Sequence, residues 1–150
     1  TDHKGFGNLQ SAQDLLAKLE HDLDRMKASP TNTYAAFDFF VTSEHLIDWK
    51  YPNNSDSSKR SHLRKNERIL EIVSHLANGN KHFQATQKRH KAVEKVEESH
   101  SGFDAGSFST SSFDTGSFQF VGLTIKLDDG KFIHALELAE KVYQFWKEEI

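Results

Sequence analysis

The sequence predicts a mainly α protein with a four-helix-bundle-like core, a small C-terminal β-hairpin and a long loop rich in Gly, Ser and Phe. Apolar residues recur at helical spacing in four segments, and one short segment alternates apolar and polar residues before a turn. Residues 99–118 show neither period. The length of 150 residues suits one domain, so we expect a single helical domain over 1–150 with the loop inserted before the hairpin and last helix.

The first predicted helix covers residues 9–28. Its apolar residues follow one another at alternating spacings of three and four, the pattern of a bundle helix: Leu9, Ala12, Leu16, Leu19, Leu23 and Met26. Charged residues fill the other face. Ser29-Pro30 ends the helix, because proline lacks an amide proton and restricts the backbone of the residue before it.

The second predicted helix covers residues 32–50, with Thr31 or Thr33 as its N-cap. Its centre is apolar on nearly every side, which is typical of a central helix. Residues 51–58 combine Pro, Asn and Ser and therefore predict a loop.

The third predicted helix covers residues 60–78, and Asn78-Gly79-Asn80 is expected to end or kink it because these residues tolerate left-handed backbone. Residues 81–98 are polar, which leaves open a solvated helix or a mobile arm. The loop at 99–118 contains two related copies, SGFDAGSF and SSFDTGSF, ten residues apart. We expect its Phe rings to dock on the body of the protein or on a partner.

The C-terminal part predicts a hairpin followed by a helix. Leu123, Ile125 and Leu127 alternate with polar residues, Asp-Asp-Gly-Lys makes the turn with Gly130 at a position that needs a positive φ, and Phe132-Ile133 return. From about residue 134 the apolar period becomes helical.

Charge is unevenly distributed along the chain. The whole chain has a net charge of −3, but residues 59–95 carry +7 and the remainder therefore −10. The basic groups of this segment are Lys59, Arg60, Arg64, Lys65, Arg68, Lys81, Lys88, Arg89, Lys91 and Lys95. Such a field would attract the phosphates of RNA, and a second interpretation is that acidic helices neighbour the basic ones within the fold or across a dimer.

Other features of the composition exclude several classes. The absence of cysteine removes disulfides and thiolate chemistry and fits a reducing compartment, so we expect a cytoplasmic protein. No apolar run approaches the length of a membrane span, and no signal peptide is visible. The glycine-rich nucleotide loops, the hydrolase elbow and the HExxH zinc motif are also missing.

Candidate site residues lie on the second and third helices. Asp38, Thr42, His45 and Trp49 share one stripe at 100° per residue, and His75, Asn78 and His82 share another. If the stripes face each other, they form a buried cluster of Asp38, His45, His75, Asn78, Lys81 and His82. A carboxylate beside imidazoles suits proton transfer near neutral pH. The same cluster also fits a hydrogen-bonded polar core that fixes the register of the helices, since buried polar groups need partners in any case.

A metal site is the third interpretation of these residues, but no histidine pair has the HxxxH spacing that places two ligands on adjacent turns. His75 and His82 are two turns apart, too far for both to hold one ion on a straight helix. We therefore expect neither a metal nor a cofactor.

Two resemblances follow from particular residues. Phe39-Phe40, residues 45–49, residues 76–83, Leu127-Asp-Asp-Gly130 and Phe145-Trp146 together resemble a family of small helical bacterial proteins over nearly the whole chain, and this resemblance implies no activity. A helical bundle with a histidine-terminated polar motif near the end of its third helix is similar to HEPN domains, over about 90 residues.

Many HEPN domains are dimeric, metal-independent ribonucleases whose signature is an Arg and a His separated by four to six residues. Arg68 and His75 match this spacing, although Ile69 replaces the polar residue that the family prefers after the arginine. The alternative match is Asn78-Gly-Asn-Lys81-His82, which resembles a variant of the same motif with Lys81 in place of the arginine. The resemblance implies that His82 or His75 is a general base on a ribose 2′-hydroxyl and that Arg68 or Lys81 stabilises charge on the phosphate.

In the same hypothesis, Asn78 and Asp38 hold the imidazole in place. The alternative function is a non-catalytic, homo-oligomeric protein-interaction module. Its contact surfaces would be the Gly/Ser/Phe loop and the apolar seam of the first helix. Both hypotheses make a homo-oligomer the expected assembly, and RNA is the expected ligand of the first one.

Overall fold

The computed structural model describes residues 4–81, 93–99 and 122–150, and these ranges form a mainly helical protein with a small antiparallel sheet, as predicted. The helices are α1 (Ala12–Ala28), α2 (Thr33–Lys50), α3 (Ser57–Asn66), α4 (Arg68–Lys81) and α5 (Ala135–Glu149), with one 3₁₀ turn at Asn54–Asp56. The strands are β1 (Val93–Ser99), β2 (Gly122–Leu127) and β3 (Phe132–His134). No helix in these ranges is long and apolar enough to cross a membrane.

Helix α1 begins later than predicted and ends where predicted. The Ser11 hydroxyl caps it by accepting from the Asp14 amide at 3.1 Å, and Leu9 instead pairs with Phe6 in a tight turn before the helix. Helix α1 packs against α2 and α5. Leu19, Leu23 and Met26 of its apolar seam are buried, and Leu9, Ala12 and Leu16 are partly buried against the same core. Much of the seam therefore belongs to the core of this chain, and its role as an oligomer surface stays a prediction.

Helix α2 is the central helix, as its apolar composition predicted. Phe39, Leu46 and Ile47 are fully buried, and the helix contacts α1, α4 and α5. The N-cap is Asn32 rather than Thr31 or Thr33: the Asn32 side chain accepts from the Ala35 amide at 3.1 Å.

The predicted third helix is in fact two helices, α3 and α4, and α3 begins inside the predicted loop. The extended backbone of Glu67 (φ −99°, ψ 105°) separates the two helices, and no Gly or Pro at this point of the sequence predicts the break. Helix α3 has no buried residue, whereas Leu70 and Val73 of α4 are fully buried. The break allows α4 to pack on α2 while α3 stays at the surface. Helix α4 continues through Gly79 to Lys81, so the predicted end at 78–80 is wrong.

The sheet has the order β1-β2-β3 and is antiparallel throughout. Its β2–β3 hairpin and the positive φ of Gly130 (83°) confirm the prediction. Strand β1 lies in the segment expected to be a helix or an arm, because β2, far along the chain, supplies its hydrogen-bond partners. The Gly/Ser/Phe loop at 99–118 lies outside the described residues except for its first residue, which ends β1.

Candidate functional site

A cavity of about 530 Å³ lies where α2, α3 and α4 meet. One acidic residue of α2, three polar or basic residues of α3 and four polar residues of α4 line it: Glu44, Ser61, Arg64, Lys65, Glu71, Ser74, His75 and Asn78. Polar groups from three helices thus converge in one concave site, the arrangement expected of a binding or catalytic site.

Helical spacing explains why each helix contributes these residues. Glu71, Ser74, His75 and Asn78 are three or four residues apart, so they share one face of α4. The cavity-lining residues of α3 follow the same rule. Because the break at Glu67 separates α3 from α4 while the two helices stay in contact, the basic face of α3 lies beside the histidine face of α4.

Glu44 is the most buried acid in the cavity, and its side chain is 13% exposed. Its Oε1 accepts from Arg64 Nε at 2.6 Å and from Ser74 Oγ at 3.4 Å. Its Oε2 is buried without a hydrogen-bond partner among the described residues. Burial raises the pKa of Glu44, and Arg64 opposes this by favouring the charged form. A carboxyl group in this environment can hold and release a proton.

Acidic neighbours balance much of the basic segment. Arg64 binds Glu44 and Asp48, Arg60 lies 3.7 Å from Asp48, and Lys59 lies 3.8 Å from Asp56. These acids all precede the basic segment in the chain, so this part of the structure supports the second interpretation of the charge asymmetry. Lys65 forms no ion pair with any described residue, and its side chain is exposed at the cavity.

The structure brings together two of the predicted site residues, His75 and Asn78, both half-buried and both in the cavity. Asn78 Nδ2 donates to the backbone oxygen of Ser74 at 2.7 Å, which fixes the amide against its own helix. Arg68 is exposed, and its guanidinium is bound by Glu71 and by Asp128 of the hairpin turn. Its charge is therefore already neutralised by two carboxylates.

Asp38 and His45 do not line the cavity, which corrects the expected buried cluster. Asp38 accepts from Arg25 of α1 at 2.8 Å, and His45 is exposed. Thr42, on the same stripe, lies against Lys18 of α1 at 3.0 Å. Asp38 and Thr42 of this stripe therefore face α1. Helix α2 is packed on several sides, and helical periodicity alone does not say which side meets which neighbour.

The structure does not describe the side chains of the two remaining predicted site residues, Lys81 and His82. Lys81 ends α4, but its side chain is outside the described residues, and so is the whole of His82. Within the described ranges, no group of three or more His, Asp or Glu side chains could hold a metal ion.

Sequence reasoning missed Glu44. Asp38 drew attention because Phe residues flank it, whereas Glu44 stands between Ser43 and His45 and resembles an ordinary surface acid. At 100° per residue, Glu44 lies about 120° around the helix from Asp38, toward α4 instead of α1. The one sequence signal is the basic, acid-free composition of 57–66, because two of its arginines, Arg60 and Arg64, find carboxylates elsewhere in the fold.

Comparisons of the chain with protein-family models, curated proteins and solved structures gave no match.

Proposed function

We propose that this protein binds RNA and cleaves it without a metal ion, with His75 as the general base. The observation that carries the proposal is the cavity at the junction of α2, α3 and α4. It combines an imidazole, the exposed ammonium group of Lys65 and the buried Glu44 carboxyl group in one site. An imidazole can take the proton of a 2′-hydroxyl, and an ammonium group can stabilise the charge that develops on the phosphate; metal-independent cleavage of RNA uses both functions.

In the proposed reaction, His75 takes the proton of a ribose 2′-hydroxyl, and the 2′-oxygen attacks the adjacent phosphorus. The bond from phosphorus to the 5′-oxygen breaks, leaving a 2′,3′-cyclic phosphate. The leaving 5′-oxygen takes a proton from water, and the Glu44 carboxylate holds Arg64 in the cavity through its Oε1. Lys65 stabilises the negative charge that develops on the phosphate.

The proposal keeps the histidine of the HEPN-like Arg68–His75 spacing but assigns the phosphate contact to a residue other than Arg68. Arg68 and His75 are seven positions apart on α4, which places them on one face and about 10 Å apart along the helix axis. Because two carboxylates already bind Arg68, Lys65 is the proposed phosphate contact. Lys81 and His82 stay proposals as the second phosphate contact and the alternative base.

Incubation with mixed-sequence RNA in EDTA tests this proposal. His75→Ala should lower the cleavage rate about 100-fold or more, the usual contribution of a general base. His21→Ala, which removes an exposed histidine of α1, is the matched control and should cleave at the wild-type rate. Urea unfolding of each variant separates lost chemistry from lost folding.

Two outcomes would contradict the proposal. A wild-type protein that leaves RNA intact would overturn the ribonuclease function. Loss of cleavage in His82→Ala combined with full activity in His75→Ala would assign the base to His82, outside the described residues, and would remove the argument based on the geometry of the cavity.

A second candidate function is a homo-oligomeric protein-interaction module without catalysis. Tyr34 (81% exposed) and Phe37 (44% exposed) lie three residues apart on α2, so their rings share one surface of its first turns. Exposed neighbouring aromatic rings are typical of contact surfaces. We expect this surface to meet its counterpart in a second copy, and light scattering tests it through the mass of the particle in solution.

A further inference from the structure

We propose that a second cavity, on another face of α3, is a stacking subsite for an unpaired RNA base and that Tyr51 is the ring on which this base stacks. The proposal rests on the proposed RNA binding and names the substrate class as single-stranded RNA. The cavity has a volume of about 430 Å³ and is lined by Tyr51, Ser58, Lys59, His62 and Leu63.

The backbone around Tyr51 is held in place from both sides. The Tyr51 amide donates to the Ile47 carbonyl at 3.1 Å, which closes the end of α2. Arg60 Nη1 donates to the carbonyl oxygens of Tyr51 at 2.6 Å and of Asn53 at 2.7 Å, which ties the segment after α2 to α3. A half-buried ring on a fixed backbone can accept a base with little loss of conformational freedom.

Positive charge surrounds the ring. Lys50 Nζ lies 5.9 Å and Lys59 Nζ 5.7 Å from the centre of the Tyr51 ring. The ammonium group of Lys59 also forms an ion pair with Asp56, whereas Lys50 has no carboxylate partner among the described residues. A nucleotide stacked on Tyr51 would thus bring its phosphate near an ammonium group that lacks a counter-charge.

The two cavities lie along one possible path of an RNA strand. His62 lines the stacking cavity and Lys65 lines the catalytic one, and they are three residues apart on the exposed side of α3. Helix α3 contains five basic or histidine residues, no acid and no buried residue. A strand crossing it could stack a base on Tyr51 and present a phosphate to Lys65. Bases in a duplex are already stacked on each other, so the site selects unpaired ones.

Fluorescence anisotropy with a labelled 2′-O-methyl oligouridine, which has no 2′-hydroxyl proton and cannot be cleaved by the proposed reaction, tests the inference, with inorganic polyphosphate as the competitor. Tyr51→Ala should weaken RNA binding about 5- to 150-fold, the range measured for single base–aromatic stacks, and leave polyphosphate binding unchanged. Tyr51→Phe should bind RNA as tightly as the wild type, because stacking needs the ring and not the hydroxyl. Phe132→Ala, which removes an exposed ring on β3, is the control and should also bind normally.

The outcomes separate this inference from the function on which it rests. A wild-type protein that binds no RNA would overturn both. Normal RNA binding by Tyr51→Ala, or an equal loss for RNA and polyphosphate, would overturn the stacking subsite and leave the cleavage proposal standing. Urea unfolding of Tyr51→Ala and Tyr51→Phe distinguishes lost stacking from a disturbed fold.

Discussion

A buried ion network between α1 and α2 offers the sharpest test of how this fold is held together. Asp22 is 1% exposed. Its Oδ2 accepts from Lys18 Nζ at 2.7 Å and from the Thr42 hydroxyl at 3.3 Å, and its Oδ1 accepts from Arg25 Nη1 at 3.2 Å. Arg25 extends the network to Asp38. The perturbation that we consider is Asp22→Ala.

The magnitude follows from the exposure of the partners. Removing one member of a fully buried ion pair costs about 3–5 kcal/mol, because the other charge stays buried alone. Here Lys18 and Arg25 are 38% and 35% exposed, so both cations regain water when Asp22 is lost. We therefore expect Asp22→Ala to lower the free energy of unfolding by about 2–3 kcal/mol, which is a factor of about 30 to 150 in the folding equilibrium.

Asp38→Ala is the matched control, because it removes a carboxylate from the same arginine at a site that is 43% exposed. An exposed pair contributes about 0–1 kcal/mol, so this variant should differ little from the wild type. Urea unfolding measures both changes, and unchanged m-values would show that the two-state comparison holds. If Asp22→Ala costs no more than Asp38→Ala, burial does not set the strength of this network and the reasoning is refuted.

Two further predictions concern the cavity and the aromatic surface. Burial raises the pKa of Glu44, so above pH 4.5 the folded state keeps a proton that the unfolded state releases. The free energy of unfolding of the wild type, relative to that of Glu44→Gln, should therefore fall as pH rises from 4.5 through the raised pKa. Urea unfolding measures this difference, and a difference that does not change with pH would contradict the prediction. If Tyr34 and Phe37 form an oligomer surface, replacing both with Ser should reduce the mass measured by light scattering to that of one 17.1 kDa chain. A wild-type protein that already has the mass of one chain would exclude this surface.

The candidate site was only partly predictable from the sequence. The stripe of His75 and Asn78 follows directly from their spacing on α4, and the structure places both in one cavity. The partner carboxylate was assigned to Asp38, but Glu44 occupies that place. Residues on a helix that is packed on several sides keep their angular order, but the sequence does not show which neighbour each angle faces.

The uneven distribution of charge is a second case in which the sequence does not show which residues become neighbours in the fold. The excess of positive charge in residues 59–95 is correct as a sum along the chain, but Arg60 and Arg64 find their counter-charges on α2. Coulomb interactions depend on distance in space, so a charge balance counted along a segment overstates the field at its surface. The exposed Lys65 and the half-buried Lys50 are the basic groups of this region for which the described residues supply no carboxylate partner.

The sequence by itself determined the elements whose hydrogen bonds and apolar faces are local. The seam of α1, the central position of α2, the β2–β3 hairpin with Gly130 and the apolar face of α5 all follow from periods of three to four or of two residues. Helices and tight hairpins form their backbone hydrogen bonds between residues close in sequence, so a short stretch of sequence is enough to predict them.

Only the tertiary structure decided the features that depend on distant partners. Strand β1 has an acidic, weakly apolar sequence and exists as a strand because β2 pairs with it. The break at Glu67 separates α4, which buries Leu70 and Val73, from α3, which has no buried residue. The cavity likewise forms from three helices whose mutual orientation is set by packing of the shared core, an interaction that no local pattern encodes.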